Sequence, residues 1–120
     1  LTTTNLNMVR GRTFSFDIHI TNTADGSDEN LTNGTLTLTA KYDVTDANAS
    51  AVFTKTIGSG ITLISAADGT ANVTILPADT AALPYIVMNL VYDLRYVSSA
   101  SEEWSVLQGN LQVAPNVTRT

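Results

Sequence analysis

The sequence predicts an all-β fold, an antiparallel β-sandwich of about seven or eight strands, on three observations. The composition is rich in Thr, Val and Leu, and only 14% of the residues are charged, which favours strands over surface helices. Apolar and polar residues alternate with a period of two in several stretches. Turn-forming residues separate these stretches at intervals of about 8 to 12 residues, which is typical of a sandwich, with a closed barrel as the structural alternative.

The first two clear strands are TFSFDIHIT (13–21) and TLTLTAKY (35–42). The segment between them is rich in Asn, Asp, Gly and Ser, whose side chains satisfy the backbone of turns. Alternation places the apolar residues of both strands on an inward face: Phe14, Phe16, Ile18 and Ile20, then Leu36, Leu38, Ala40 and Tyr42. The simplest interpretation is that these strands are antiparallel neighbours joined by a loop.

The middle of the chain predicts three shorter strands. AVFTKTI (51–57) has an uncertain facing and is ended by GSG (58–60). ITLI (61–64) and TANVTIL (70–76) flank SAADG, where the Asp68-Gly69 pair favours a tight turn. In the second of these strands Ala71, Val73 and Ile75 are expected to face inward.

The segment PADTAALP (77–84) is the one part of the chain that predicts a helix, a short turn near residues 77–83. Pro77 suits the first helical position, Asp79 favours the positive N-terminal end, and Pro84 disfavours helical geometry at Leu83. A short helix with one large apolar residue can close the open end of a sandwich. Leu83 is therefore the expected plug.

The longest predicted strand is YIVMNLVYDLRYV (85–97), followed by the polar hairpin loop SSASE and the last strand, EWSVLQGNLQV. One face of the long strand is apolar throughout: Ile86, Met88, Leu90, Tyr92, Leu94 and Tyr96. The other face is apolar only in its first half, which predicts that another surface covers it. The interface candidates are Tyr85, Val87 and Val91. In the last strand Gly109 predicts a bulge or a close backbone approach.

Five stretches in this order resemble the immunoglobulin-like β-sandwich domain of tailed-phage virion proteins, such as the N-terminal domain of the phage baseplate upper protein. They are RGRTFSFDI (10–18), DG…LTNGTLTLTAK (25–41), GITLISAADGTANVTILPADTAALP (60–84), YDLRY (92–96) and LQGNLQVAPNVTRT (107–120). The resemblance implies a structural role in a virion that is assembled in the bacterial cytoplasm. It implies other virion proteins as partners, and a homo-oligomer is expected.

Length and charge limit the function further. A chain of 120 residues predicts one domain, 1–120, with an extended N-terminal arm over residues 1–7 as a candidate for assembly. The net charge of −5 argues against binding nucleic acid or an anionic membrane surface. No cysteine is present, so neither a disulfide nor a thiolate metal site can form.

Three groups of polar residues are candidate sites. His19 has no partner at a catalytic or metal-binding spacing, and the acidic loop 25–30 lacks the alternating ligands of a calcium loop. Glu102 and Glu103 beside Trp104 suggest a sugar site, but adjacent strand residues point to opposite faces, so Trp104 is instead expected in the core or an interface. Five N-glycosylation sequons, at Asn30, Asn33, Asn48, Asn72 and Asn116, would carry glycans only in a secreted protein.

Known catalytic motifs are missing from the sequence, which predicts no enzyme, no cofactor and no small-molecule substrate. The expected function is that of a structural protein of a phage baseplate or tail. The alternatives are a capsid-decorating protein, a glycosylated subunit of a cell-surface filament that assembles by strand donation, and a carbohydrate-binding module.

Overall fold

A computed structural model describes residues 2–21, 26–47 and 50–117 of the chain. In these residues it contains nine strands and one short helix. They are β1 (Thr2–Thr3), β2 (Leu6–Val9), β3 (Phe14–His19), β4 (Thr35–Lys41), β5 (Phe53–Ile57), β6 (Gly60–Ser65), β7 (Thr70–Ile75), α1 (Pro77–Thr80), β8 (Met88–Val97) and β9 (Glu103–Ala114). The expectation of a mostly β protein with a helical turn between the prolines is confirmed.

All the strands belong to one continuous sheet in the order β1-β9-β8-β4-β5-β6-β7-β3, with β2 also paired to β9. Strands β1 and β2 lie end to end along β9 in one register, so the sheet is eight strands wide and nearly closes as a barrel. The predicted immunoglobulin-like sandwich is not confirmed, and the arrangement is closer to the barrel alternative.

The expectation of a purely antiparallel sheet is wrong, because three of the strand pairings are parallel. The N-terminal strands β1 and β2 run parallel to β9, which is far away in sequence and so is not bound by the geometry of a hairpin. Strand β5 meets β6 in parallel at Thr56 and Gly60. Gly58 and Gly60 have positive φ in this connection. These backbone conformations, which glycine adopts easily, allow β6 to continue in the same direction as β5 instead of turning back as in a hairpin.

The predicted adjacency of the strands at 13–21 and 35–42 is also wrong. Strand β3 pairs with β7 over its whole length, from Phe14 opposite Ile75 to His19 opposite Thr70. Strand β4 lies between β5 and β8 on the other side of the barrel. Before β4, Leu31 is buried, and its N–H donates to the carbonyl oxygen of Ala66 in the turn between β6 and β7.

The core confirms most of the predicted alternation. Apart from Met88, which is half-buried, the inward residues of β4, β7 and β8 are buried: Leu36, Leu38, Ala40, Ala71, Val73, Ile75, Leu90, Tyr92, Leu94 and Tyr96. Two predicted core residues, Tyr42 and Ile86, are instead exposed, because β4 ends at Lys41 and β8 begins only at Met88. The chain leaves Pro84 in a bend, and the pairing of β8 starts three residues later than the alternation suggested.

Gly109 permits a close approach between β9 and the N-terminal segment, as predicted. A Cβ at this position would overlap the carbonyl oxygen of Thr4. That same carbonyl accepts a hydrogen bond of 2.6 Å from the Tyr92 hydroxyl, and the side chain of Asn5 accepts one from the N–H of Asn110. The N-terminal segment of the described chain is therefore tied to its own sheet, and the shift of register in β9 falls elsewhere, opposite Leu94 and Arg95.

Candidate functional site

The segment between Pro77 and Pro84 closes one end of the barrel, which we call the plugged end. Leu83 is 3% exposed and belongs to the core cluster, so its predicted role as a plug is confirmed. Thr80 is completely buried, and its hydroxyl accepts a hydrogen bond of 2.9 Å from the N–H of Gly11. The helical turn thus joins the core to the connection between β2 and β3.

Arg10 fastens that connection to the turn. Its Nε donates to the carbonyl oxygen of Leu83 at 2.6 Å, and another guanidinium nitrogen donates to the carbonyl oxygen of Ala81. A third bond of 3.2 Å goes to the side-chain oxygen of Asn116, and the guanidinium lies 4.1 Å from the ring centroid of Tyr85. Arg10 therefore donates to two backbone carbonyls in the segment that follows the helix. No spacing in the sequence indicated this role.

A nearly buried ion pair supports the same end. Lys55 Nζ lies 2.6 Å from Asp79 Oδ2, and the two side chains are only 8% and 19% exposed. The other bond to Asp79 Oδ2 comes from the N–H of Leu76, which caps the helical turn. The sequence alone did not indicate this pair, because Lys55 stands in a strand whose facing alternation left open.

Exposed apolar side chains gather around the plugged end, and we call this surface the apolar end. The strands that end or begin here are neighbours in the sheet, since Lys41 pairs with Val91, Met88 with Val113 and Val9 with Ala114. The exposed apolar residues close to these positions in the chain are Val9, Tyr42, Tyr85, Ile86 and Val87, and Leu76 is exposed beside the helical turn. Ile86 and Val87 are 59% and 51% exposed. Two of the predicted interface residues, Tyr85 and Val87, therefore lie on this surface.

The other two predicted interface residues lie elsewhere. Val91 is half-buried on the outer face of β8, where it lines a shallow and largely polar depression with Thr39, Asp93 and Arg95. Trp104 is 44% exposed near the opposite end of the barrel. The structure does not bring the four predicted residues together.

Trp104 stacks on Tyr96 with ring centroids 5.7 Å apart and an interplanar angle of 15°. Tyr96 is buried, and its hydroxyl donates to the carbonyl oxygen of Asn30 at 3.1 Å. Burial, and to a smaller extent the negative charge of Glu29, raises the pKa of Tyr96. One face of the Trp104 ring is therefore covered, and the other borders a groove.

That groove, which we call the seam, is the place where the barrel does not close. It has a volume of about 440 Å³ and lies between β3 on one side and the N-terminal segment with the start of β9 on the other. Its walls include Leu6, Phe16, Ile18, Trp104 and Val106. Alternation predicted the inward face of β3, but it could not show that the strand would stand at an edge.

In the described ranges, no three of the His, Asp and Glu side chains come together in a group that could hold a metal ion. His19 Nε2 lies 2.7 Å from Asp28 Oδ1, and both side chains are about half exposed. Glu103 is exposed and pairs with Arg95. Asp25, part of the acidic loop, lies outside the residues that the structure describes.

The sequons differ in their surroundings. Asn30 and Asn33 are exposed, whereas Asn116 is buried and accepts a bond from Arg10. Asn72 is half-buried, and its amide donates to Ser15 and Asp17 on β3. Asn48 and the Thr118 of the last sequon lie outside the described residues. A glycan at Asn116 or Asn72 would displace these contacts.

Within the described part of the chain, the one helix is far too short to cross a bilayer. A search of protein-family models and of curated proteins found no match to this sequence.

Proposed function

We propose that this chain is a non-enzymatic structural protein of a tailed-phage virion, a component of the baseplate or tail that acts through protein–protein contacts. The observation that carries the proposal is the apolar end. Large apolar side chains that are exposed together at one end of a small domain mark a surface that another protein covers. The resemblance of the sequence to the immunoglobulin-like domain of tailed-phage virion proteins indicates which class of protein that partner belongs to.

The position of the apolar end favours a rigid contact. Its residues emerge next to a segment that Arg10, Thr80 and Leu83 fix to the core. A surface held in this way loses little conformational entropy when a partner covers it, so more of the burial contributes to affinity. Other virion proteins and further copies of the chain are the proposed partners, and no nucleic acid, membrane or small molecule is required.

Mass spectrometry of purified particles tests the location. We expect the chain in particles from the source phage, and in the tail fraction after heads and tails are separated. Recovery with the heads would favour the capsid-decorating alternative. Absence from the particles would contradict the proposal, and an intact mass above the 12.7 kDa of the sequence by whole hexose units would favour the secreted filament.

A pair of matched variants tests the surface. Ile86→Ser with Val87→Ser should fold normally, because both side chains are exposed, but should reduce incorporation into particles about tenfold or more. Ile64→Ser is the control, since Ile64 is 58% exposed, almost as much as Ile86, but stands on β6 away from the apolar end. Equal incorporation of both variants would show that the apolar end is not the contact surface.

A further inference from the structure

The seam differs from an ordinary sheet edge because it has two walls. In the described residues, β3 has only β7 as a pairing partner, and β1 and β2 have only β9. The backbone edge of β3 therefore faces the seam with alternate N–H and C=O groups that no strand takes up. The open stretch ends at His19, because Ile20 and Thr21 already pair with Glu29 and Asp28.

The apolar side chains of β3 are less buried than those of its paired neighbour β7. On β7 the inward residues Val73 and Ile75 are fully buried. Their partners on β3, Phe16 and Phe14, are only half-buried, although they point to the same side of the same sheet. Half-buried apolar side chains at every second position are what an incoming strand would cover.

Strand β3 also has none of the devices that usually protect an edge. Such devices are Pro, Lys, a bulge or an inward charge. The sequence of β3 is FSFDIH, its pairing with β7 is regular over six positions, and its one carboxylate, Asp17, points outward. Sheet edges that must not pair with other strands usually carry such devices. Their absence from β3 is therefore what we expect of an edge that accepts another strand.

The negative charge around the seam favours a basic segment over a second copy of this chain. The groove is lined by two carboxylates, those of Asp17 and Glu29, and by no Lys or Arg in the described residues. Its one histidine, His19, already contacts Asp28. A second copy of this acidic chain would add to the negative charge, whereas a basic segment would neutralise it.

We propose that the seam accepts an extended segment of a different polypeptide, about six residues long, apolar at alternate positions and carrying Lys or Arg. The segment pairs with the free edge of β3, lays its apolar side chains on Phe16, Ile18 and Val106, and places its cations near Asp17 and Glu29. The inserted strand completes the barrel. This inference rests on the proposed function, since it names the way in which a neighbouring virion protein would be held.

An NMR titration of the isotope-labelled full chain tests the inference with the synthetic peptide Lys-Val-Thr-Val-Thr-Val-Lys, whose three Val side chains share one face and whose two Lys side chains lie on the other. We expect the amides of residues 14–19 to shift and to become protected from hydrogen exchange. The matched peptide with Glu at both ends should bind about tenfold more weakly, because its charges repel those of the groove. A version with Pro in place of both Thr should not bind, because it lacks the required N–H donors.

Two charge variants provide the internal control. Asp17→Asn with Glu29→Gln should bring the two peptides close to equal affinity, whereas Asp68→Asn with Asp93→Asn removes the same charge elsewhere and should preserve the difference. Binding that shifts other amides, equal affinity for both peptides, or no binding at millimolar concentration would overturn the inference. Protection of β3 that grows with the concentration of the chain alone would also overturn it, in favour of a second copy.

The outcome is separable from that of the proposed function. The titration measures only the seam, whereas the particle experiments measure location and the apolar end. If the chain is found in phage tails but does not bind the basic peptide, the proposed function stands and only the proposal that the seam accepts a strand is refuted.

Discussion

The plugged end and the seam are two openings of the same barrel that the chain treats differently. At the plugged end a helical turn, Leu83, Arg10 and the Lys55–Asp79 pair fill the opening from within. At the seam no described residue fills the opening, and the apolar residues of β3 remain half-buried. The comparison shows how the chain closes an opening with its own residues, and the half-buried side chains of the second opening support the proposal that another polypeptide covers them.

Loss of the ion pair at the plugged end should have the largest effect on stability. Asp79→Ala leaves the Lys55 ammonium nearly buried without this partner and removes the acceptor for the N–H of Leu76. We expect the free energy of unfolding to fall by about 4 kcal/mol, measured by urea denaturation. The double variant with Lys55→Met should recover most of the loss, because it removes the unpaired charge, and failure to recover would show that the pair is not what matters.

Removal of the plug should rank second. Leu83→Ala deletes a buried side chain and leaves a cavity, which typically costs about 3 kcal/mol. Leu76→Ala is the matched control, since Leu76 is exposed beside the same turn and should cost less than about 1 kcal/mol. Similar losses in both variants would contradict the role of Leu83, and thermal unfolding can compare them directly.

A smaller effect compares β3, the strand at the seam, with its paired neighbour β7. Ile75→Val on β7 should lower the free energy of unfolding by about 1 kcal/mol, because Ile75 is 1% exposed. Ile18→Val on β3 makes the same chemical change at a half-buried position and should cost less than about 0.5 kcal/mol. If binding of the basic peptide raises the cost of Ile18→Val towards that of Ile75→Val, the seam has been covered as proposed.

The smallest effect concerns pH. Burial raises the pKa of the Tyr92 hydroxyl, and burial together with Glu29 raises the pKa of Tyr96 beside the seam. The folded state therefore favours the neutral phenols. Their contribution to stability should be complete below the ordinary tyrosine pKa of about 10 and should be lost as the pH rises through the folded-state pKa values.

Denaturation curves at increasing alkaline pH check this expectation, with tyrosinate absorbance as the second readout. Tyr96→Phe has no hydroxyl to ionise, so its stability should decline less steeply with pH than that of the unmodified chain. A parallel decline in both proteins would contradict a contribution from Tyr96.

Local pattern explains why much of the fold was predictable. The alternation in β4, β7 and β8 follows from burial of one face, and Pro77 and Pro84 set the limits of the turn that carries Leu83. Pairing could not be predicted in the same way, because the partner of a strand depends on distant segments. The parallel union of β2 with β9 and the separation of β3 from β4 are both of this kind.

The surfaces were predictable only in part for the same reason. Tyr85 and Val87 are predictable as interface residues because the first half of the outer face of the long strand is apolar, and both are exposed. The reason differs from the one assumed, since they precede β8 instead of lying on it. Arg10, Lys55 and the seam were missed, because a long-range contact and an unpaired edge leave no local signal in the sequence.

The pairing of the N-terminal strand with β9 also has a consequence for the order of folding. Thr2 lies opposite Leu107 and Val9 opposite Ala114, so about a hundred residues must be synthesised before either strand can meet its partner. Contacts of such long range form slowly, because the entropy of closing the loop is lost before the contact is gained. Residues 2–9 therefore remain unpaired during folding for longer than the other described strands. During this interval an exposed sheet edge of a neighbouring chain can compete with β9 for pairing with them.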